Sequence, residues 1–196
     1  MNSRLGDLRT NGRAYAPGRP SIFEAFSTAC GAHESPHGAD LAVRALTPQA
    51  GPRVQITETD YIEKGKLKST YGTYYARDAD LVVIDDDLAV VAEYDLSRGY
   101  TPAADFLEAV LLHEAVHWVR RWSGLDPGNV VRSGGAVEAG HFFEILAYGG
   151  PMKYLSTWAN DFPNRLKDAR RFLSVNDVLM NPRVPVYKRP RTKLIW

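Results

Sequence analysis

The residues best suited to chemistry in this chain are His113, Glu114 and His117, inside "LLHEAVHWVRR" (111–121). Histidines four apart on a helix stand one above the other, so two imidazoles can face one metal ion. The intervening Glu projects near the same face, where it can hold a water. The chain spells this pattern twice. In "AHESPHGAD" (32–40), His33, Glu34 and His37 repeat the spacing.

The elements that would carry the two copies differ. Around the second copy, Thr101 is a candidate N-cap and Pro102 suits the first helical position. Asp105 favours the positive end of the dipole, and Ser123-Gly124 followed by Pro127-Gly128 ends the helix. Between residues 109 and 119 the predicted helix is apolar almost all round except at His113, Glu114 and His117, the pattern of a central, buried helix. Polar groups buried there need partners, and a zinc ion supplies them. Two core histidines satisfied by hydrogen bonds are the plainer alternative. In the first copy, Pro36 sits inside the would-be turn and Gly38 follows at once. Cys30, His33 and His37 could hold a metal on a loop, but a polar turn with solvated histidines is the expectation.

The bulk numbers narrow the classes. The chain has 196 residues, enough for one domain with a sizeable core. A net charge of +1 makes no electrostatic case for nucleic acid. One cysteine rules out an internal disulfide framework. No apolar run has the length of a membrane span, and the first 20 residues lack the apolar core of a secretory signal peptide. Synthesis in the cytoplasm is the corresponding expectation.

Along the chain, residues 1–20 read as a flexible leader, 21–180 as the folded domain and 181–196 as a basic, proline-rich tail. A short helix is expected at 21–30 with Ser21 as its cap, then loop over 31–52. Strands are expected at 53–62, in pieces over 66–76 around Gly72, and at 80–84, with an Asp85–Asp87 cap and a short helix after it. The 101–123 helix follows, then a helix at about 135–148, and short helices at 152–158 and 164–173. Strands precede helices, which indicates an α+β fold rather than βαβ repeats.

A catalytic zinc takes three protein ligands and keeps one open position. The candidates for the third are Glu138, His141 and Glu144 in "GGAVEAGHFFEILAYGG" (134–150). On a helical wheel, Ala136, Gly140, Phe143 and Ala147 share a side that another helix can approach, and Glu144 borders it. Glu138 points almost the opposite way. That ranks Glu144 first and Glu138 second. Loop length argues the other way, because Glu138 lies twenty residues past the motif, close to the thermolysin-like spacing.

"HEAVH" followed by an acidic residue on the next helix resembles the zincin metallopeptidases of the glutamate-ligand branch. "LLHEAVHW" paired with "EAGHFFEILAYGG" more specifically resembles the metallopeptidase domains of bacterial polymorphic toxins and type VI secretion effectors. The resemblance covers residues 101–150. It implies a zincin-like fold with a small sheet packed on the buried motif helix and a second ligand-bearing helix. It also implies a protein or peptide substrate, delivery by a secretion system and a cognate immunity protein. In such a site Zn2+ would be held by His113, His117 and Glu144 or Glu138, with Glu114 as the base. Tyr148 is a candidate donor to the oxyanion, although an aromatic before Gly-Gly also suits a core. Arg120 and Arg121 read as a solvated helix end, and strand 80–84 as the exposed edge that a substrate peptide would join. Two other functions stay open. One is a deformylase-like zinc amidase with Cys30 as ligand. The other is a metal-binding interaction module without activity, against which Glu114 argues.

Overall fold

The computed structural model describes residues 19–152 and 162–180, apart from 60, 64, 65, 69 and 76. The chain forms an α+β fold in which helices alternate with small sheets. It divides into two compact units. The first takes residues up to 55 together with 74–82 and 109–152. The second takes 56–73, 83–108 and 153 onward.

In the first unit, helix α1 (Ile22–Ala29) starts where Ser21 closes a capping box with Glu24. The Glu24 N–H donates to Ser21 Oγ at 3.2 Å, and the Ser21 N–H donates to Glu24 Oε2 at 2.8 Å. Its buried face, Ala25, Phe26 and Ala29, joins the core of this unit, where Phe26 meets Phe143 edge-on at 6.0 Å. Helix α2 (Gly38–Ala45) occupies ground expected to be loop. The breakers Pro36 and Gly38 end before or at its first residue, so they start this helix rather than forbid it. Leu41 and Ala42 bury its inner face. Gly38 is required there, because a Cβ would lie 2.6 Å from the Gly31 carbonyl oxygen.

The expected strand run at 53–62 is broken. Strand β1 (Arg53–Thr57) ends before β2 (Tyr61–Glu63), which pairs antiparallel with β3 (Lys66–Lys68). Strand β4 (Gly72–Tyr74) and β5 (Leu81–Asp85) complete a three-stranded sheet in the order β1-β5-β4. This corrects the substrate-edge expectation. Strand β5 is the central strand, so its backbone groups are taken on both sides, and the edges of this sheet are β1 and β4.

In the second unit, Asp85 caps helix α3 (Asp86–Ser97) as expected, its Oδ1 accepting the N–H groups of Asp87 and Leu88 at 3.1 and 3.2 Å. Its other oxygen accepts Thr59 Oγ1 at 2.7 Å. Helix α6 (Phe162–Met180) is longer than the piece expected at 164–173 and pairs Arg165 with Asp95 and Arg170 with Asp87. The leader over 1–18, the short helix expected at 152–158, apart from its first residue, and the tail over 181–196 lie outside the described residues.

Helix α4 (Pro102–Trp122) carries the motif and has the limits that its start and stop signals indicate. Val116, Trp118 and Val119 are buried on its core face, and Trp118 Nε1 donates to Asp80 Oδ1 at 3.3 Å. After it, β6 (Asn129–Arg132) and β7 (Gly135–Glu138) form an antiparallel hairpin with Val130 opposite Val137. Helix α5 (Ala139–Tyr148) begins only after that hairpin and ends at Gly149, whose φ of 86° needs no Cβ penalty from glycine. The expected helix over 135–148 therefore loses its first turn to a strand. Gly134-Gly135 turns the hairpin, and Val137 and Val130 satisfy each other across it.

Arg120 departs most from expectation. It is 3% exposed and is no solvated helix end. Its Nε donates to the Asp126 carbonyl at 2.8 Å, one terminal nitrogen to the Ala29 carbonyl at 3.1 Å and the other to the Asn129 carbonyl at 3.2 Å. One guanidinium thus ties the ends of α1 and α4 to the loop before β6. Arg120→Ala leaves these three carbonyls without that donor; the bond to Ala29 is buried and the other two part-buried, and an unsatisfied buried group costs about 1–3 kcal/mol. Urea denaturation should show a loss of about 2–5 kcal/mol for Arg120→Ala. The exposed Arg121→Ala should stay within about 0.5 kcal/mol of wild type.

Candidate metal centre

Helix geometry brings His113 and His117 together, with ring centroids 5.3 Å apart. Each ring has one nitrogen spent. His113 Nδ1 lies 2.7 Å from Glu144 Oε1, and His117 Nδ1 lies 2.6 Å from the Pro127 carbonyl oxygen. Both acceptors require a proton on Nδ1, which leaves the lone pair of each ring on Nε2. Those two Nε2 atoms face a single carboxylate. Glu138 Oε1 is 2.8 Å from His117 Nε2, and Glu138 Oε2 is 3.6 Å from His113 Nε2.

Glu138 is placed by the hairpin. It ends β7 and serves as the N-cap of α5, accepting the N–H of Gly140 at 2.9 Å and of His141 at 2.6 Å. A helical wheel turns Glu138 away only if one helix runs through Gly134-Gly135, and these residues form a hairpin instead. As a strand end, Glu138 swings back over α4. Glu144 does approach α4, as its side of the helix predicts, but from behind His113. Its second oxygen accepts the Met152 N–H at 2.7 Å. Gly140 is where the small side of α5 meets the site, because a Cβ there would lie 2.3 Å from His113 Cδ2.

Glu114 is 8% exposed. Burial pushes its carboxyl above the usual range, against the opposing pull of His113, His117 and a hydrogen bond from the Tyr74 N–H. Burial also works against charge on Glu138. There the His117 imidazole, the His113 imidazole and the two backbone N–H groups outweigh it, and its pKa falls to about 2. For His113 burial alone would lower the pKa, but Glu144, Glu114 and Glu138 together raise it. His117 is raised in the same way, chiefly by Glu138 and Glu114 against its burial. Three carboxylates around two imidazoles make a site built for positive charge.

The donor set fits a metal ion. Ligands about 2.05 Å from a tetrahedral zinc stand roughly 3.3 Å apart, a spacing that the two imidazole–Glu138 separations bracket. His113, His117 and Glu138 offer atoms that all lie within 4.8 Å of one another. A second group, His113 with His141 and Glu144, meets the same limit but leaves out His117, and Glu144 in it already contacts His113 Nδ1 at 2.7 Å.

The other residues singled out by sequence lie elsewhere. Tyr148 packs edge-on against Phe143 at 5.7 Å, among the core residues of the first unit. Cys30 is buried at the end of α1, where burial raises its thiol well above the usual range. His33 and His37 sit on an exposed turn, and among the described residues they join no group arranged to hold a cation. Sequence reasoning missed the Pro127 carbonyl, the Met152 N–H and Tyr74, whose ring stacks on His117 at 6.2 Å and 17°. A backbone donor or acceptor leaves no trace in residue type, so only Tyr74 had a side-chain signal at all.

An α+β frame that presents His-Glu-x-x-His on a buried helix, opposite a carboxylate from the hairpin that follows it, defines a zincin-like metallopeptidase. The family model described as metallopeptidase toxin 3 matches residues 8–149, well over half of the chain. The chain belongs to that family, the metallopeptidase domains of polymorphic toxins, which implies a hydrolase that uses a metal ion. No curated protein and no solved structure matches it.

Proposed function

We propose that this domain is a zinc-dependent endopeptidase acting as an antibacterial toxin delivered into a target cell. The observation that carries the reading is the pair of imidazoles with Nδ1 engaged by acceptors and Nε2 turned toward Glu138. Imidazole and carboxylate donors suit zinc, and three protein ligands leave a position for water. We assign His113, His117 and Glu138 as ligands, with Glu144 as the partner that orients His113. Bound there, zinc would supply a water of lowered pKa and polarise the scissile carbonyl.

The chain's own residues do the rest. Glu114, buried beside the ligands and held by the Tyr74 N–H, takes a proton from the attacking water. It then returns that proton to the leaving amine as the C–N bond breaks. Its raised pKa suits both tasks, since a group that holds a proton more readily is a better base and can still act as the acid. The His113–Glu144 and His117–Pro127 contacts keep both rings from turning.

A deformylase-like amidase with Cys30 as ligand has less support, because that thiol is buried at the end of α1 and, among the described residues, belongs to no candidate group of ligands. An inert metal-binding module leaves Glu114 without a task. A protein substrate and a cognate immunity protein go with the toxin reading, and no described helix is long and apolar enough to cross a membrane. Metal analysis of the purified domain should find about one zinc per chain. Incubation with a bacterial lysate, followed by mapping of new peptide termini, should reveal cleavage that a zinc chelator abolishes. Absence of zinc uptake, or termini that the chelator leaves unchanged, would overturn the reading.

A further inference from the structure

We propose that His141 is a further catalytic residue, donating an imidazole N–H to the oxyanion that develops on the scissile carbonyl. The inference rests on the peptidase reading of the site and names a group that reading does not use. Water attack puts negative charge on the carbonyl oxygen, and a preorganised donor aimed at that charge typically contributes 10²–10³-fold in rate.

The position of His141 suits this task. It stands in the first turn of α5, its backbone N–H fixed on Glu138 Oε2 at 2.6 Å. Its ring reaches the same carboxylate, with Nδ1 3.3 Å from Glu138 Oε2, and meets the His113 ring edge-on with centroids 5.3 Å apart. A ring nitrogen also lies within 4.8 Å of donor atoms of His113 and Glu144. Yet the side chain is 51% exposed, so a substrate can reach it. A fixed backbone with a half-exposed ring beside Glu138 and His113 suits a donor to an incoming group.

The other side-chain donors near the site are committed or buried. His113 and His117 spend Nδ1–H on Glu144 and Pro127. The Tyr74 hydroxyl donates to the Ala79 carbonyl at 3.3 Å, and Arg120 serves the three carbonyls of Ala29, Asp126 and Asn129. Tyr148 lies with its ring on Phe143 and its hydroxyl buried. Glu114, Glu138 and Glu144 are acceptors when charged. Among the described residues of the cluster, His141 is the side-chain donor that remains for the substrate, in the role for which the sequence offers Tyr148.

The test compares wild type, His141→Ala and His141→Gln, the last of which keeps a side-chain N–H. Three quantities are read: bound zinc, kcat and KM on a peptide taken from the mapped cleavage site, and the affinity of a phosphinic pseudopeptide of that sequence by calorimetry. The phosphinic group carries the tetrahedral charge of the reaction midpoint, so its affinity reports the donor without any turnover. His141→Ala should keep its full zinc and a KM within a few-fold of wild type. Its kcat and its phosphinate affinity should each fall roughly 10²–10³-fold, with partial recovery in His141→Gln. Loss of zinc from His141→Ala would make the residue a ligand and overturn the proposal, as would unchanged phosphinate affinity beside wild-type zinc. Wild type that takes up no zinc and cleaves nothing would overturn the peptidase reading itself, and this proposal with it.

Discussion

Glu138→Ala should lose its zinc on mild chelation, and Glu144→Gln should keep most of it. The reason lies in which nitrogen of His113 each carboxylate faces. Glu138 stands before the Nε2 atoms of both histidines, at 2.8 and 3.6 Å, while Glu144 holds Nδ1 on the far side of the His113 ring. Removing Glu138 would take away one of three ligands. Removing Glu144 would free one ring to turn, and outer partners of this kind typically account for 10–100-fold in metal affinity or activity. The dissociation constant for zinc should therefore rise by no more than roughly 100-fold in Glu144→Gln and by clearly more in Glu138→Ala. Titration against a chromogenic chelator measures both. Retention by Glu138→Ala with loss from Glu144→Gln would restore the order that the helical wheel suggests. Acid should empty the wild-type site as well. Zinc needs both imidazoles neutral, and both hold their protons more tightly than a free histidine does. As pH falls, His113 and His117 therefore protonate before Glu138, whose pKa of about 2 keeps it charged. Affinity should begin to drop above the ordinary histidine range rather than in the carboxylate range.

Glu114→Gln should bind zinc like wild type and hydrolyse peptides roughly 10²–10⁴-fold more slowly, with the loss in kcat. Glutamine keeps the shape of the side chain and can still take the Tyr74 N–H, so the helix and both ligand rings should stay in place. It cannot take a proton from water. Because Glu114 is buried between the ligands, the substitution also removes a charge that supports His113 and His117, which should ease rather than raise the burial cost of the metal-free protein. Zinc content and single-turnover rates on a mapped cleavage peptide separate the two effects. A variant that loses zinc would make Glu114 a ligand, and one that turns over at the wild-type rate would remove it from the chemistry.

Sequence by itself determined the part of this protein whose logic is local. The spacing of His113, Glu114 and His117 needs only the helical repeat, and the limits of α4 follow from Pro102 and Ser123-Gly124. Pro36 and Gly38 argue against a helical copy at 33–37 for equally local reasons. The Ser21 and Asp85 caps were legible because a cap acts within three residues of itself. Tertiary structure decided what depends on chain reversal and on backbone partners. A stretch of Gly-Gly-Ala-Val-Glu reads as the start of a helix until β6 is present to pair with it, and that pairing is what delivers Glu138 to the imidazoles. Arg120 reads as a solvated end until the carbonyls of Ala29, Asp126 and Asn129 converge on it from distant positions. Strand 81–85 reads as a short apolar run whether it lies at an edge or in the centre, because residue type reports burial and not the order of strands. Glu144, which a helical wheel from Gly140 onward brings to α4, meets His113 at Nδ1, since a periodicity says which face a residue shares but not which nitrogen it will meet.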